Sequence, residues 1–433
     1  MSDVHDTEPR LLKEPRGGVP DVTSTIEGYH HVCEALADAS GSLAADAERA
    51  SGFRYGHEDW LIQCKREGAG IALLDPIALT QSGADWNEFN DAVGDATWIL
   101  HDSLMDLPGF ADLGLQPKAL FDTEIAARLL GLHRFGLAAV TEHYLGITLA
   151  KEHSAADWSY RPLPRDWRNY AALDVEVLIE LENLMRRDLR AAGKDEWAEE
   201  DFTHALSEGL APRKPHPVPW LRISRITQLS RDPQGLAIAK SLWQERDKLA
   251  RRHDIAPSLL LSDSSIIEAA TRKPHNAAQF RALRSLNERV RIRTGTEQDK
   301  MFERYAPIQR AVKPKVWKEA IDRAMALRPS QWPSMPAPAP DENGIVNAPR
   351  SMRLWQQRHP DRYDRLQRVR RVITSIAEDT RTPFEMIIKP QILRNLCWVE
   401  NPAEVDVEEF LIAQGARNWQ VKLIAPSVSG VIM

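Results

Sequence analysis

Three small groups of residues carry side chains that could do chemistry together. Asp46 and Glu48 follow a short apolar run in LAADAE and are separated by one alanine. Side chains alternate across a strand, so these two carboxylates point to the same face. Both resist burial and they repel each other, so either water or a cation must lie against them. Asp106 follows a second strand-like run in WILHDSLMD. Tyr170 and Asp174 stand at i and i+4 in RNYAALDVEVLIEL (168–181), on one face of an amphipathic helix. Four carboxylates can hold two divalent cations about 4 Å apart, one generating hydroxide from water, the other stabilising the leaving 3′ oxygen of a phosphodiester. A phenol beside the attacking water can orient it and help to remove its proton. Oxygen-only donors suit Mg²⁺ or Mn²⁺ rather than zinc.

The same residue types have plainer uses. Asp122-Thr123-Glu124 repeats the D-x-E spacing, but it precedes the helical pattern Ile125 to Leu130. Asp122 therefore reads as a helix N-cap and Glu124 as a first-turn acid. His101 reads as a packing residue rather than a ligand. Lys151 has equal claims as a solvated lysine and as a partner for a carboxylate or phosphate.

The elements that must position these residues are legible in outline. Residues 1–22 have the composition of a flexible N-terminus, and residues 23–40 read as a helix. Leu43 to Asp46, Trp60 to Cys64, Ile71 to Leu74 and Thr97 to Leu100 have the length and residue types of strands, separated by turn chemistry. Helical patterns follow, at Ile125 to Leu130 and at Val175 to Ala192, each stopped by glycine. This order predicts an α/β domain over 23–215, with the prolines at 212, 215, 217 and 219 marking its end. Helical periodicity dominates afterwards, in a module over 225–310 and another over 350–430, divided by a Pro-rich linker at 331–349. APSLLLSDSSIIEAAT (256–271) matches TPFEMIIKPQILRNLC (382–397) at an offset of 126, which predicts two copies of one small helical unit.

Charge is distributed unevenly over the 433 residues. Residues 1–220 carry 20 Lys+Arg against 38 Asp+Glu, residues 221–330 carry 23 against 12, and residues 331–433 carry 13 against 12. An acidic first half suits metal ions, and a basic middle suits a polyanion such as nucleic acid or forms a solvated helical surface. Cys33, Cys64 and Cys397 have no metal-ligand spacing and form no disulfide framework. No apolar run has the length to span a bilayer, and a cytoplasmic location is expected.

The motifs D-x-E at 46–48, Asp106 sixty residues on and Y-x-x-x-D at 170–174, with DWSYRPLPRDWRNYAALDVEVL (157–178) around the last, resemble the ribonuclease D family, in the tyrosine branch of the DEDD exonucleases. The two helical modules resemble HRDC domains, the first more closely than the second. The resemblance implies a ribonuclease H-like α/β exonuclease domain, a mixed sheet flanked by helices, followed by all-α HRDC modules. It implies Asp46, Glu48, Asp106 and Asp174 as ligands of two Mg²⁺ or Mn²⁺ ions and Tyr170 as the residue that positions water. The expected activity is 3′→5′ hydrolysis of RNA ends to nucleoside 5′-monophosphates, with tRNA precursors or other stable RNA as substrates and no membrane. A DNA exonuclease and a non-catalytic nucleic-acid scaffold are the alternatives. Met105 stands where glutamine is common in the family, which removes a hydrogen-bonding group beside Asp106.

Overall fold

A computed structural model of the chain describes residues 9–433 apart from 151, 152, 154, 297, 338, 339, 341 and 342; Lys151 thus lies outside the described residues. Its organising element is the strand β3. In chain order the strands are β1 (Arg10–Leu12), β2 (Val22–Thr23), β3 (Ser40–Arg49), β4 (Asp59–Glu67), β5 (Gly70–Leu74), β6 (Thr97–Leu100), β7 (Ala119–Asp122) and β8 (Ile147–Leu149). Six of them form a mixed sheet in the order β2-β5-β4-β3-β6-β7. The β3–β4 and β4–β5 pairs are antiparallel, whereas β3–β6, β6–β7 and β2–β5 are parallel. β1 and β8 form a separate parallel pair. Residues 10–12 and 22–23 are thus tied into sheets, which corrects the expectation of a flexible stretch through residue 22. Strands of two or three residues carry too little periodicity to be read from sequence.

The sheet is covered on both faces. Leu43, Ala45 and Ala47 of β3 are buried in the larger apolar core with the helix Ile26–Asp38. The opposite face presents Asp46 and Glu48 beside their β4 partners Gln63 and Leu61. Here Leu61 and Leu73 pack with Trp158, Trp167, Ala171 and Ala172, the last three from the helix Arg165–Glu176. Ala171 and Ala172 are fully buried and have no side chain beyond Cβ, so this helix lies close to the sheet. The helical run expected over 168–181 is divided at Val177, after which Leu178–Ala191 forms a second helix.

The helical half has two modules with different attachments. The helix Pro233–His253 packs with Asp263–Arg272 and Pro314–Met325 around a core running from Trp220 to Ala324, wider than the expected 225–310. Among the described residues, only Phe53 of the exonuclease domain joins the buried part of that core. The second module, built on the helix Pro360–Thr380, shares one continuous apolar core with the exonuclease domain. Trp419 stacks on Trp197 at 4.5 Å, and Lys194 Nζ donates to Leu129 O at 2.5 Å and to Thr382 Oγ1 at 3.0 Å.

The internal repeat is present in the backbone, in a register one residue longer than expected. Pro233 and Pro360 start 21-residue helices, Asp254 and Arg381 cap them in the left-handed conformation, and Leu261 and Ile388 follow in extended conformation. Each pair is separated by 127, not 126. The sequence match rested on Pro257 and Pro383, which occupy neighbouring rather than equivalent positions.

Candidate active site

Asp46, Glu48 and Asp174 each offer a carboxylate oxygen to one cluster, with the three oxygens within 4.8 Å of one another. β3 does not stop at the acids, as the sequence suggested, but continues through them to Arg49. Glu48 is buried, and Gln63 donates an amide hydrogen bond to Asp46. Asp174 comes from the helix packed over β3, and Tyr170 stands one turn before it on the same helix. Lys65 of β4 fixes the end of this helix, its Nζ donating to Glu176 O at 2.7 Å and Glu176 Oε2 at 3.0 Å, where a cation also suits the helix dipole.

Asp106 reaches the cluster by a different route. β6 runs parallel to β3 and ends at Leu100. Asp102 then takes a left-handed conformation at φ 60°, a turn Asp tolerates better than most residues. Asp106 closes the turn Ser103–Met105 and starts the helix Leu107–Leu113. Its carboxyl meets that of Asp46 and also accepts from Arg49. It therefore adjoins the three-acid cluster without belonging to it.

Asp122 caps the helix Thr123–Leu129, accepting from Glu124 N at 2.8 Å and Ile125 N at 3.1 Å. It also accepts from Ser103 N at 2.7 Å, so the cap holds the turn that presents Asp106. Glu124 pairs with Arg128 at 2.6 Å. His101 Nδ1 bonds Thr123 Oγ1 at 2.8 Å, and burial lowers its pKa; its place is in the packing behind the turn.

Several polar side chains here have roles that the sequence does not signal. Arg49 contacts Asp106, Met105 O at 2.6 Å and Asp59 at 3.5 Å. A β-bulge makes this possible: Glu48 pairs with Leu61 but Arg49 pairs with Asp59, leaving Trp60 as the extra residue. The bulge has no sequence signature, although a basic residue directly after a D-x-E pair is a signal worth reading. Gln63 was visible only as part of a strand. His133 and Arg134, both exposed, join Tyr170 and Asp174 in lining a cavity of about 650 Å³.

The electrostatics are those of a crowded acid cluster. Burial pushes the Asp46 carboxyl up to about 6, against the lowering effects of its contact with Asp106 and of Arg49. Burial raises Glu48 well above the usual range, and the charges of Asp46, Asp174 and Asp106 add to the shift. Asp106 and Asp174 are raised by burial and then by Asp46. The Tyr170 phenol is raised by burial and by Asp174, Glu48 and Asp46, and so stays protonated. Four acids, all oxygen donors and all costly to ionise together, fit divalent cations of the Mg²⁺ type.

A mixed sheet with this acid arrangement defines a 3′–5′ exonuclease domain, and the matching family model, described as 3′-5′ exonuclease, covers residues 21–190. An HRDC model matches residues 235–297, and a model described as 3′ to 5′ exonuclease C-terminal domain matches 348–432. The chain is 30% identical over 248 residues to ribonuclease D of Shewanella sp. (strain ANA-3), an alignment covering 57% of this chain and 62% of that relative's length. A crystal structure of a protein from Bifidobacterium adolescentis is 66% identical, with a TM-score of 0.92 over 98% of this chain and 100% of the other. Escherichia coli RNase D has the same fold, with a TM-score of 0.61 at 21% identity over 95% of this chain and 98% of the other. The chain is thus similar to ribonucleases D, with a 3′-5′ exonuclease domain followed by an HRDC domain. Among the described residues no helix is long and apolar enough to cross a membrane.

Proposed function

We propose that the protein is a 3′→5′ exoribonuclease that shortens RNA from its 3′ end and releases nucleoside 5′-monophosphates. The observation that carries this reading is the convergence of Asp46, Glu48 and Asp174 within 4.8 Å, with Tyr170 and Asp174 lining an open cavity. Asp46, Glu48 and Asp174 would hold one Mg²⁺ or Mn²⁺ ion, and Asp46 with Asp106 a second. When bound, such ions lower the pKa of water and stabilise the leaving 3′ oxygen. The remaining work falls to the chain itself. Tyr170, kept protonated by burial and by the surrounding acids, would orient water at the Asp174 carboxylate. Gln63 fixes the Asp46 carboxylate, and Asp122 fixes the turn bearing Asp106. His133 and Arg134 stand where a phosphate would enter the cavity.

The E. coli relative is described as an exoribonuclease involved in structured RNA processing. We extend that substrate class, tRNA precursors included, to this chain. The basic region after residue 220 would hold the RNA body, with affinity that falls as salt rises. The shared 127-residue spacing supports reading the C-terminal module as a divergent copy of the HRDC unit. Digestion of 5′-labelled single-stranded RNA and DNA, with Mg²⁺ and with EDTA, tests the proposal. A Mg²⁺-dependent ladder on RNA is expected. Cleavage of DNA alone, or binding without cleavage, would replace it with one of the two alternatives.

A further inference from the structure

A second cavity, of about 670 Å³, is lined in part by the helix that bears Tyr170 and Asp174 and takes no part in the chemistry above. One wall comes from the exonuclease domain, with His153, Tyr160, Asp166 and Trp167; the other comes from the helical module, with Met301 and Arg304. Trp167 and Tyr170 are three residues apart on one helix, about 4.5 Å of rise. The His153 ring lies between the two, 5.7 Å from Trp167 and 6.2 Å from Tyr170. Successive turns of one helix thus line the two cavities.

Its chemistry is aromatic on the floor and cationic on one rim. Tyr160 is 38% exposed, an unusual exposure for a large aromatic side chain beside an active site. Its ring lies 6.1 Å from Trp167 and 4.8 Å under the Arg304 guanidinium. On the other rim Asp166 pairs with His153 at 3.2 Å and would repel a phosphate there. A polyanionic chain crossing the cavity must therefore follow the Arg304 side.

The two walls are locked together before any ligand arrives. Asp157 is fully buried and accepts from Arg304 Nη1 and from the Tyr305 hydroxyl, each at 2.9 Å, and from Ser159 Oγ at 2.5 Å. Phe53 stacks on Phe302 at 4.5 Å. A cavity held this way has already met the ordering cost that binding would otherwise carry.

We propose that this cavity is a base-stacking subsite for an unpaired nucleotide upstream of the one being removed. The proposal rests on the exoribonuclease reading and adds to it a requirement for single-stranded RNA beyond the terminal residue. An aromatic floor with an arginine rim takes any base by its π-face and a neighbouring phosphate by charge. A base inside a duplex already has its π-faces stacked on its neighbours, so digestion would stall when a duplex reaches the subsite.

The test is binding, with cleavage suppressed by EDTA. Fluorescence anisotropy would be measured on the full-length wild-type protein with a short unstructured RNA and with versions in which one base near the 3′ end is replaced by an abasic site. At one or two interior positions, affinity is expected to fall roughly 5- to 150-fold, the range for losing one stacked base. In Tyr160→Ala the intact RNA should bind more weakly, and the abasic penalty at those positions should shrink towards none. A thermal melt of this variant checks its fold, while the scan on wild type stands without it. Tight binding with a flat scan, a penalty confined to the terminal base, or a penalty unchanged in Tyr160→Ala would each overturn the subsite alone. No binding of RNA at all would overturn the exoribonuclease reading beneath it.

Discussion

The Arg49 guanidinium bridges Asp106 and Asp59, two carboxylates that approach it from different elements, the turn after β6 and the start of β4. Asp59 has no exposed side-chain surface, and burial pushes its carboxyl up to about 7. Arg49 is thus an internal counter-ion at the edge of the proposed metal site. Arg49→Met should lower the stability of the metal-free protein by about 3–5 kcal/mol, the usual cost of removing one partner of a buried pair. It should also tighten Mn²⁺ binding, since a positive charge competing for Asp106 is gone. Thermal melts in EDTA and Mn²⁺ titration followed by electron paramagnetic resonance check both. An unchanged melt in EDTA would show that Arg49 is not holding these acids.

Asp46→Asn and Asp174→Asn should each abolish cleavage and leave the fold intact. Each removes a charged oxygen from the cluster and relieves repulsion among buried acids. The metal-free melting temperature should therefore equal or slightly exceed that of wild type, with the gain from added Mn²⁺ reduced. Turnover near the wild-type rate in either variant would remove that residue from the site.

The same acids set a pH dependence. Their folded pKa values lie above the unfolded ones, so the folded protein holds protons that the unfolded chain releases. Stability from this source is present at low pH and is lost as pH rises from the unfolded Asp value of 3.8 through about 6 for Asp46, and further for Glu48, Asp106 and Asp174. In EDTA, wild type should lose stability relative to Asp174→Asn across that range. Mg²⁺ should offset the loss by mass action. Denaturant unfolding of the two proteins at several pH values measures the difference, and parallel profiles would contradict it.

Asp122→Asn and Glu124→Gln separate the second D-x-E pair from the first. Asp122 accepts from the turn at Ser103 as well as from its own helix, and an amide offers only one acceptor oxygen. About 1–3 kcal/mol of stability should be lost, more than for a simple cap. Glu124→Gln loses an ion pair with Arg128 worth at most about 0.5 kcal/mol. Metal affinity should survive both changes. Its loss in Glu124→Gln would make this pair a ligand set.

Tyr170→Phe keeps the ring against Trp158 and His153 and removes only the hydroxyl. The chemical step should slow by about 10²–10⁴, while metal and RNA affinity change little. Single-turnover cleavage and RNA binding on the same variant distinguish the two effects. Weak binding with wild-type cleavage at saturation would make Tyr170 a packing residue.

The acids were readable because their spacing is the geometry: period two on β3 and i, i+4 on a helix both put side chains on one face. Arg49 was not readable, because a bulge at Trp60 decides which β4 residue it meets. Asp122 reads as a cap from its spacing, but its second role depends on Ser103, nineteen residues away. The attachment of the C-terminal module was equally hidden. An amphipathic helix such as Pro360–Thr380 announces that one face is buried, but not which surface covers it.

The continuous core joining the exonuclease domain to residues 348–432 has a consequence for biosynthesis. Domains generally fold in the order in which they leave the ribosome. Trp197 and Asp201 emerge early, but their partners Trp419 and Arg417 are added more than two hundred residues later. Until then the nascent protein carries an uncovered apolar face, with the intervening HRDC module free to fold first around its own core. A prematurely terminated chain would leave that face permanently bare, a ready target for chaperones and proteases.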